Sequence, residues 1–174
     1  MTSNQKIALA AVMAAAVFGA CSDDYSLLSP LSPTPQLYTS VLTGAKEVPA
    51  VTTTATGTAD VSILDTNRIR VQVNVTAIDS VTQSHIHAGD ATTAGPVMVF
   101  LFGPVTAATF PTGVGSATTT TLTGVLRVLD IQKGVTAFSG VYTYDSLVTR
   151  IKAGTAYVNV HTRKNAGGEI RGQI

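Results

Sequence analysis

The chain contains a single cysteine, Cys21, in 174 residues. A lone cysteine cannot form an intramolecular disulfide, so the folded part must be stable from its hydrophobic core alone. Charged side chains are also scarce, at 12% of the sequence, and neither a basic run nor a cluster of aromatic residues is present. Such a sequence offers no evident source of attraction to phosphates, which argues against nucleic-acid binding.

Familiar catalytic signatures are missing as well. The sequence contains no paired carboxylates, no Ser-His-Asp order and no glycine-rich phosphate loop. The N-terminal apolar run, residues 7–18, is twelve residues long and follows Lys6. A membrane-spanning helix needs about 20 apolar residues, whereas a run of this length is typical of the apolar region of a secretory signal peptide.

This run ends in Phe18-Gly19-Ala20-Cys21, which resembles the lipobox of bacterial lipoproteins. We therefore expect residues 1–20 to be a lipoprotein signal peptide and Cys21 to be lipidated, which would anchor the protein to the membrane. The alternative is an ordinary signal peptide with an incidental cysteine nearby. An anchored protein would lie in the cell envelope outside the cytoplasm, and Ser22 favours the outer membrane if the host is diderm.

Three regions follow from composition. Residues 1–20 are the expected signal peptide, and residues 21–36 are the expected lipid anchor and tether, rich in proline and serine. Proline-rich polar segments stay extended and would hold a domain away from the membrane. Residues 37–174 have the length and apolar content of one globular domain. Removal of residues 1–20 takes away one basic side chain, Lys6, which leaves ten basic and ten acidic side chains and no net charge.

Hydrophobic residues of this domain recur with a period of two. Residues 68–76 alternate strictly between apolar and polar side chains, which predicts a strand with one face on a core. Further strands are predicted at residues 37–42, 57–64, 83–87, 97–102, 122–129, 155–162 and 169–174. Residues 146–153 instead predict one short helix, with Asp145 as N-cap and Gly154 as its stop. The predicted fold is mainly β: an antiparallel β-sandwich or partly closed barrel.

The only three histidines occur in two of these strands. His85 and His87 are two residues apart and therefore project from the same strand face, and His161 lies near the end of a later strand. Imidazoles in this pattern predict one copper or zinc ion, with an open fourth position that is typical of catalytic sites. Asn159 shares the face of His161 and is a candidate hydrogen-bond partner.

A structural alternative remains open for the same residues. The histidines would then form a polar network with Tyr157, Asn159, Glu169 and Arg171 instead of binding an ion. Glu169 and Arg171 are expected to share a strand face and to form an ion pair across strands.

Three motifs in order resemble the CHRD domain family over most of residues 39–174. They are residues 42–57, opening with Leu-Thr-Gly-Ala-Lys-Glu-Val-Pro; residues 85–89, His-Ile-His-Ala-Gly; and residues 156–174, with Tyr-Val-Asn-Val-His and Gly-Gly-Glu-Ile-Arg-Gly. The resemblance implies a β-sandwich similar to copper/zinc superoxide dismutase. Three histidines are too few for the two-metal ligand set of that enzyme, which leaves at most one site.

The resemblance also implies an extracytoplasmic binding or interaction module with a protein partner. Such a module needs an exposed apolar patch, and Phe100, Phe102 and Phe110 are the candidates. The alternatives are a metal-binding protein that uses the three histidines, or a metal-dependent enzyme at that site. Residues 103–121 are expected to form a long surface loop between two strands.

Overall fold

The computed structural model describes residues 34–103 and 121–174, and these residues contain eight β-strands and one α-helix. The strands are β1 (Gln36–Thr43), β2 (Thr56–Ile63), β3 (Arg68–Ile78), β4 (Val81–Ala88), β5 (Val97–Phe102), β6 (Leu122–Gln132), β7 (Ala156–Thr162) and β8 (Ile170–Gln173). The helix α1 spans Tyr144–Lys152, and a short 3-10 helix spans Gly44–Lys46. The predicted signal peptide, Cys21, most of the tether, Phe110 and most of the predicted loop lie outside the described residues.

All eight strands belong to one antiparallel sheet with the order β5-β4-β7-β8-β1-β2-β3-β6. Its two edge strands, β5 and β6, approach each other across a cleft lined by Phe100, Phe102, Arg127 and Leu129. The sheet is therefore a nearly closed barrel. This confirms the prediction of a mainly β, antiparallel fold with one short helix.

Strand β3 shows how the alternating sequence builds the core. Its residues Ile69, Val71, Val73 and Val75 are almost completely buried, while the residues between them face outward. Burial of one such side chain contributes about 1.5–3 kcal/mol, so the face of the strand is fixed by its sequence. On the outer face, Arg70 pairs with Asp130 of β6 at 2.8 Å.

Helix α1 packs on the core through Tyr144, Leu147 and Ile151. The prediction of Asp145 as its N-cap is wrong. The side chain of Thr143 accepts a hydrogen bond from the amide of Ser146, and the Ser146 hydroxyl accepts one from the amide of Thr143. This reciprocal pair satisfies two amides that lack partners in the first turn. The predicted stop, Gly154, has a φ of 65° directly after the C-cap and is confirmed.

Strand β7 is buried on both faces, unlike the half-exposed strand β3. Val158 and Val160 belong to the apolar core, together with Ile86 of the neighbouring strand β4. The opposite face carries polar and aromatic side chains. We call this group the polar layer, and it consists of His85, His87, Tyr157, Asn159, His161 and Arg171.

Candidate metal site

The structure brings the three histidines together in the polar layer. Strands β4 and β7 are paired so that His85 lies opposite Asn159, and His161 lies opposite Gln83. Nδ1 of His85 is 3.1 Å from Nε2 of His161 and 3.3 Å from Nε2 of His87. One ligand nitrogen from each ring lies within 4.8 Å of the other two. Their side chains are 2%, 7% and 6% exposed for His85, His87 and His161, so the cluster is closed to bulk water.

Two of these spacings are close to those of nitrogens that share one ion. Two nitrogens bound at 2.0–2.1 Å, with angles between tetrahedral and trigonal values, lie roughly 3.3–3.6 Å apart. The contacts of 3.1 Å and 3.3 Å made by His85 Nδ1 are close to that range. The remaining spacing is within 4.8 Å, so side-chain shifts that shorten it would let the three rings hold one ion.

Backbone carbonyls fix which nitrogen of two of the rings carries the proton. His87 donates from Nδ1 to the carbonyl of Gly95 at 2.8 Å, and His161 donates from Nδ1 to the carbonyl of Ala166 at 2.9 Å. In a neutral ring the other nitrogen then presents a lone pair. Both Nε2 lone pairs are therefore directed at Nδ1 of His85.

The three rings themselves carry too few protons to satisfy these contacts. A proton on Nδ1 of His85 can be donated fully to only one of its two neighbours, which leaves the Nε2 lone pair of the other ring without a donor from the histidines. Nε2 of His85 is buried without a hydrogen-bond partner and packs beside the ring of Phe100. A cation between the rings would satisfy all three converging nitrogens at once.

Burial keeps the three rings neutral. It lowers the pKa of His85 from 6.5 to about 3, with a further contribution from repulsion by His161 and His87. Burial also lowers the pKa of His87 and of His161, despite the opposing effect of their bonds to backbone carbonyls. Neutral imidazole is the form that binds metal ions.

Asn159 places an amide oxygen beside the same point. Its Oδ1 lies 3.0 Å from Nε2 of His161, and the amide also contacts His85 and His87. Rotation of the amide would direct its NH2 group at the ring nitrogens instead. Asn159 therefore supplies either a hydrogen bond to the empty cluster or a fourth, neutral oxygen donor to a bound ion.

Tyr157 supports one of the candidate ligands. Its ring stacks on His87, with centroids 4.8 Å apart and planes 9° from parallel. Strand β8 pairs with β7 on the side opposite β4. The guanidinium of Arg171, in β8, lies 3.4 Å from the centroid of the Tyr157 ring. The Tyr157 hydroxyl accepts a bond of 3.0 Å from the amide of Gly95, whose carbonyl holds His87. These contacts fix the orientation of the His87 ring.

Glu169 and Arg171 do not make the cross-strand ion pair that the sequence suggested. Glu169 accepts hydrogen bonds of 2.6 Å from Thr53 and from Thr162. Burial acts to raise the pKa of its carboxyl, but these hydrogen bonds outweigh that effect and lower the pKa. Arg171 donates to the carbonyls of Asp90 and Thr93. Glu169 therefore holds the segment at Thr53 against β7, and Arg171 holds the segment that contains Asp90 and Thr93.

Glu47 is a buried acid that was not predicted from the sequence. It is 7% exposed, and Oε1 of its carboxyl has no hydrogen-bond partner. Burial raises its pKa from 4.5 to about 7, although the positive charge of Arg171 acts in the opposite direction. Its carboxyl rests against Gly168, where a Cβ would lie 2.5 Å from Oε1. Its occurrence in the first of the three motifs was the only sequence signal.

Comparison with known families shows to which family the chain belongs. In the part of the chain that the structure describes, no helix is long and apolar enough to span a membrane. No curated protein and no solved structure shows significant similarity to the chain. The sequence model of the CHRD domain, by contrast, matches residues 38–174, which is well over half of the chain and includes all three histidines. The resemblance noted in the motifs is thereby confirmed, and the chain belongs to the CHRD domain family.

Proposed function

We propose that this protein is a membrane-anchored, extracytoplasmic CHRD domain that binds one copper or zinc ion through His85, His87 and His161. CHRD domains are extracellular, and the family suggests a binding or interaction module. The observation that carries the proposal is the convergence of three buried ring nitrogens that carry at most one proton between them. Buried polar groups without partners are costly, and one cation would give all three nitrogens a partner at the same time.

The metal content of the purified full-length chain tests this proposal. The protein is exposed to zinc or copper, freed of loose ions and measured by mass spectrometry. We expect about one equivalent in the parent, because the cluster holds one set of three nitrogens. The variant His85→Ala/His87→Ala/His161→Ala should bind none. Asn74→Ala is the matched control, since Asn74 lies on β3, which pairs with β2 and β6 and not with the strands of the cluster.

Equal and negligible binding by the parent and the triple variant would refute metal binding. The histidines would then belong to a structural polar network. Circular dichroism of each variant separates loss of the ion from loss of the fold, because a folded triple variant that binds no metal supports the proposal.

A protein partner remains a prediction from the family resemblance. Of the aromatic residues expected to form its surface, Phe100 is 41% exposed, whereas Phe102 is half-buried and packs against the core. Phe110 lies outside the described residues. In the described residues this surface consists of one exposed ring, Phe100, beside His85. It is weaker support for a protein partner than the histidine cluster is for a metal ion.

The lipid anchor is the second part of the proposal. Cys21 follows an apolar run and two small residues, as lipidation requires, and it is the only thiol in the chain. Metabolic labelling with a fatty acid should mark the parent and leave Cys21→Ser unlabelled. An unlabelled parent that is still exported would indicate an ordinary signal peptide. In a diderm host we expect the labelled protein in the outer membrane.

A further inference from the structure

The donors that converge in the polar layer carry no negative charge. Three are neutral imidazole nitrogens, and the fourth atom beside them is the amide oxygen of Asn159. Imidazole binds both copper and zinc, so the type of donor does not by itself select between these ions. The charges around the site do select between the ions, because a buried ion must be stabilised by neighbouring charges and dipoles.

The buried acids Glu47 and Glu169 lie outside the histidine cluster. Glu169 is held by the hydroxyls of Thr53 and Thr162. Glu47 lies in a cleft with Arg171 and rests against Gly168. Neither carboxylate is among the atoms that converge between the histidines. An ion bound there would keep its whole charge, apart from what neutral dipoles can offset.

A buried positive charge also lies close to the site. The Arg171 guanidinium packs on the face of Tyr157, and His87 stacks on the same ring. Arg171 is 2% exposed, so water screens its charge poorly. Because Arg171 and His87 pack on the same ring, a cation bound to His87 would be repelled by the charge of the guanidinium.

The cost of burying an ion rises with the square of its charge, so a dication costs about four times as much as a monocation in the same site. Repulsion from a fixed charge rises in proportion to the charge of the ion. We infer that the three-histidine site selects the monovalent copper ion, Cu(I), over Zn(II) and Cu(II). This inference rests on the proposed function and names the ion that the charges around the site favour.

The amide of Asn159 strengthens this selection. A dication in a three-histidine site can recover charge balance by binding hydroxide or another anion in an open fourth position. Here the amide lies against all three rings and occupies space beside the converging nitrogens. Cu(I) needs no such anion, because three neutral nitrogens leave only one positive charge to stabilise.

Competition with chromophoric chelators of known affinity tests the inference on the full-length protein. Cu(I) is measured under nitrogen, and Zn(II) and Cu(II) are measured in parallel at the same pH. We expect Cu(I) to bind more tightly than either dication by a factor on the order of 100 or more. Zn(II) or Cu(II) binding as tightly as Cu(I) would overturn the inference and leave the proposed function standing. Failure of all three ions to bind would overturn both.

A single change of charge gives an independent readout. Asn159→Asp keeps the shape of the side chain and adds one negative charge beside the nitrogens, so it should shift the preference towards Zn(II) by a factor on the order of 100. Asn74→Asp makes the same chemical change on β3 and should leave the ratio of affinities as in the parent. An unchanged ratio in a folded Asn159→Asp variant would refute charge as the basis of selection. Should that variant not fold, the ratio measured on the parent still decides.

Discussion

Two buried groups give the stability of this protein opposite dependences on pH. The pKa of His85 falls from 6.5 in the unfolded chain to about 3 in the fold, so its contribution is fully present above pH 6.5 and is lost as the pH falls towards 3. The pKa of Glu47 rises from 4.5 to about 7, so the folded state gains stability as the pH falls from 7 towards 4.5. Burial is the main cause of both shifts.

The magnitudes are nearly equal between pH 7.5 and pH 5. Proton linkage gives a loss of about 2 kcal/mol from His85 and a gain of about 2 kcal/mol from Glu47. The pKa of His87 and of His161 is also lowered, so both add to the loss. Between pH 7.5 and pH 5, the metal-free parent should therefore lose less free energy of unfolding than its histidines alone would remove. Glu47→Gln removes the compensating gain and should lose about 2 kcal/mol more than the parent over this range.

Urea unfolding of the metal-free protein at pH 7.5 and pH 5, followed by circular dichroism, measures these differences. His85→Gln should behave in the opposite way to Glu47→Gln and lose about 2 kcal/mol less than the parent. If Glu47→Gln and the parent lose the same free energy within about 0.5 kcal/mol, the burial-driven shift of Glu47 is refuted. If His85→Gln loses the same free energy of unfolding as the parent, the burial-driven shift in the pKa of His85 is refuted.

Three further outcomes are expected. Thr143→Ala should lower the free energy of unfolding by about 1 kcal/mol through loss of the N-cap, and an unchanged urea midpoint would contradict that role. Gly168→Ala should cost more than about 2 kcal/mol, because its φ of 131° disfavours a side chain and the new Cβ would lie 2.5 Å from the carboxyl of the buried Glu47. Gly134→Ala, with a φ of 75° and open space around the new Cβ, should cost about 1 kcal/mol, and equal costs would contradict this difference. Copper at 100 times its dissociation constant should add about 2.7 kcal/mol and raise the melting temperature by about 10 °C, and a similar rise in the triple-histidine variant would place the ion elsewhere.

Much of the sheet could be predicted because its period of two is a local property. The alternation in β3 required only that one face be apolar, and each predicted strand appears within a few residues of its place. The helix boundary was less accurate. Asp145 and Thr143 are both good N-caps by composition, and the choice depends on Ser146 bonding back to the amide of Thr143.

The histidine cluster could be predicted only in part. The spacing of His85 and His87 fixed their common face, but the approach of His161 depends on the pairing of β4 with β7, which are far apart in sequence. The carbonyls of Gly95 and Ala166 that orient two of the rings are backbone groups in loops, and no residue type encodes them. The role of Arg171 likewise depends on its packing against Tyr157.

Because β7 is buried on both faces, this one strand carries both the candidate metal ligand His161 and part of the apolar core. The amides of β7 should therefore exchange with solvent only when the whole barrel opens, since no partial fraying of this central strand exposes them. An ion held by His161 would leave by another route, through movement of the segments that supply the carbonyls of Gly95 and Ala166. The lifetime of a bound ion would thus be set by these loops, while its affinity is set by the rigid sheet beneath them.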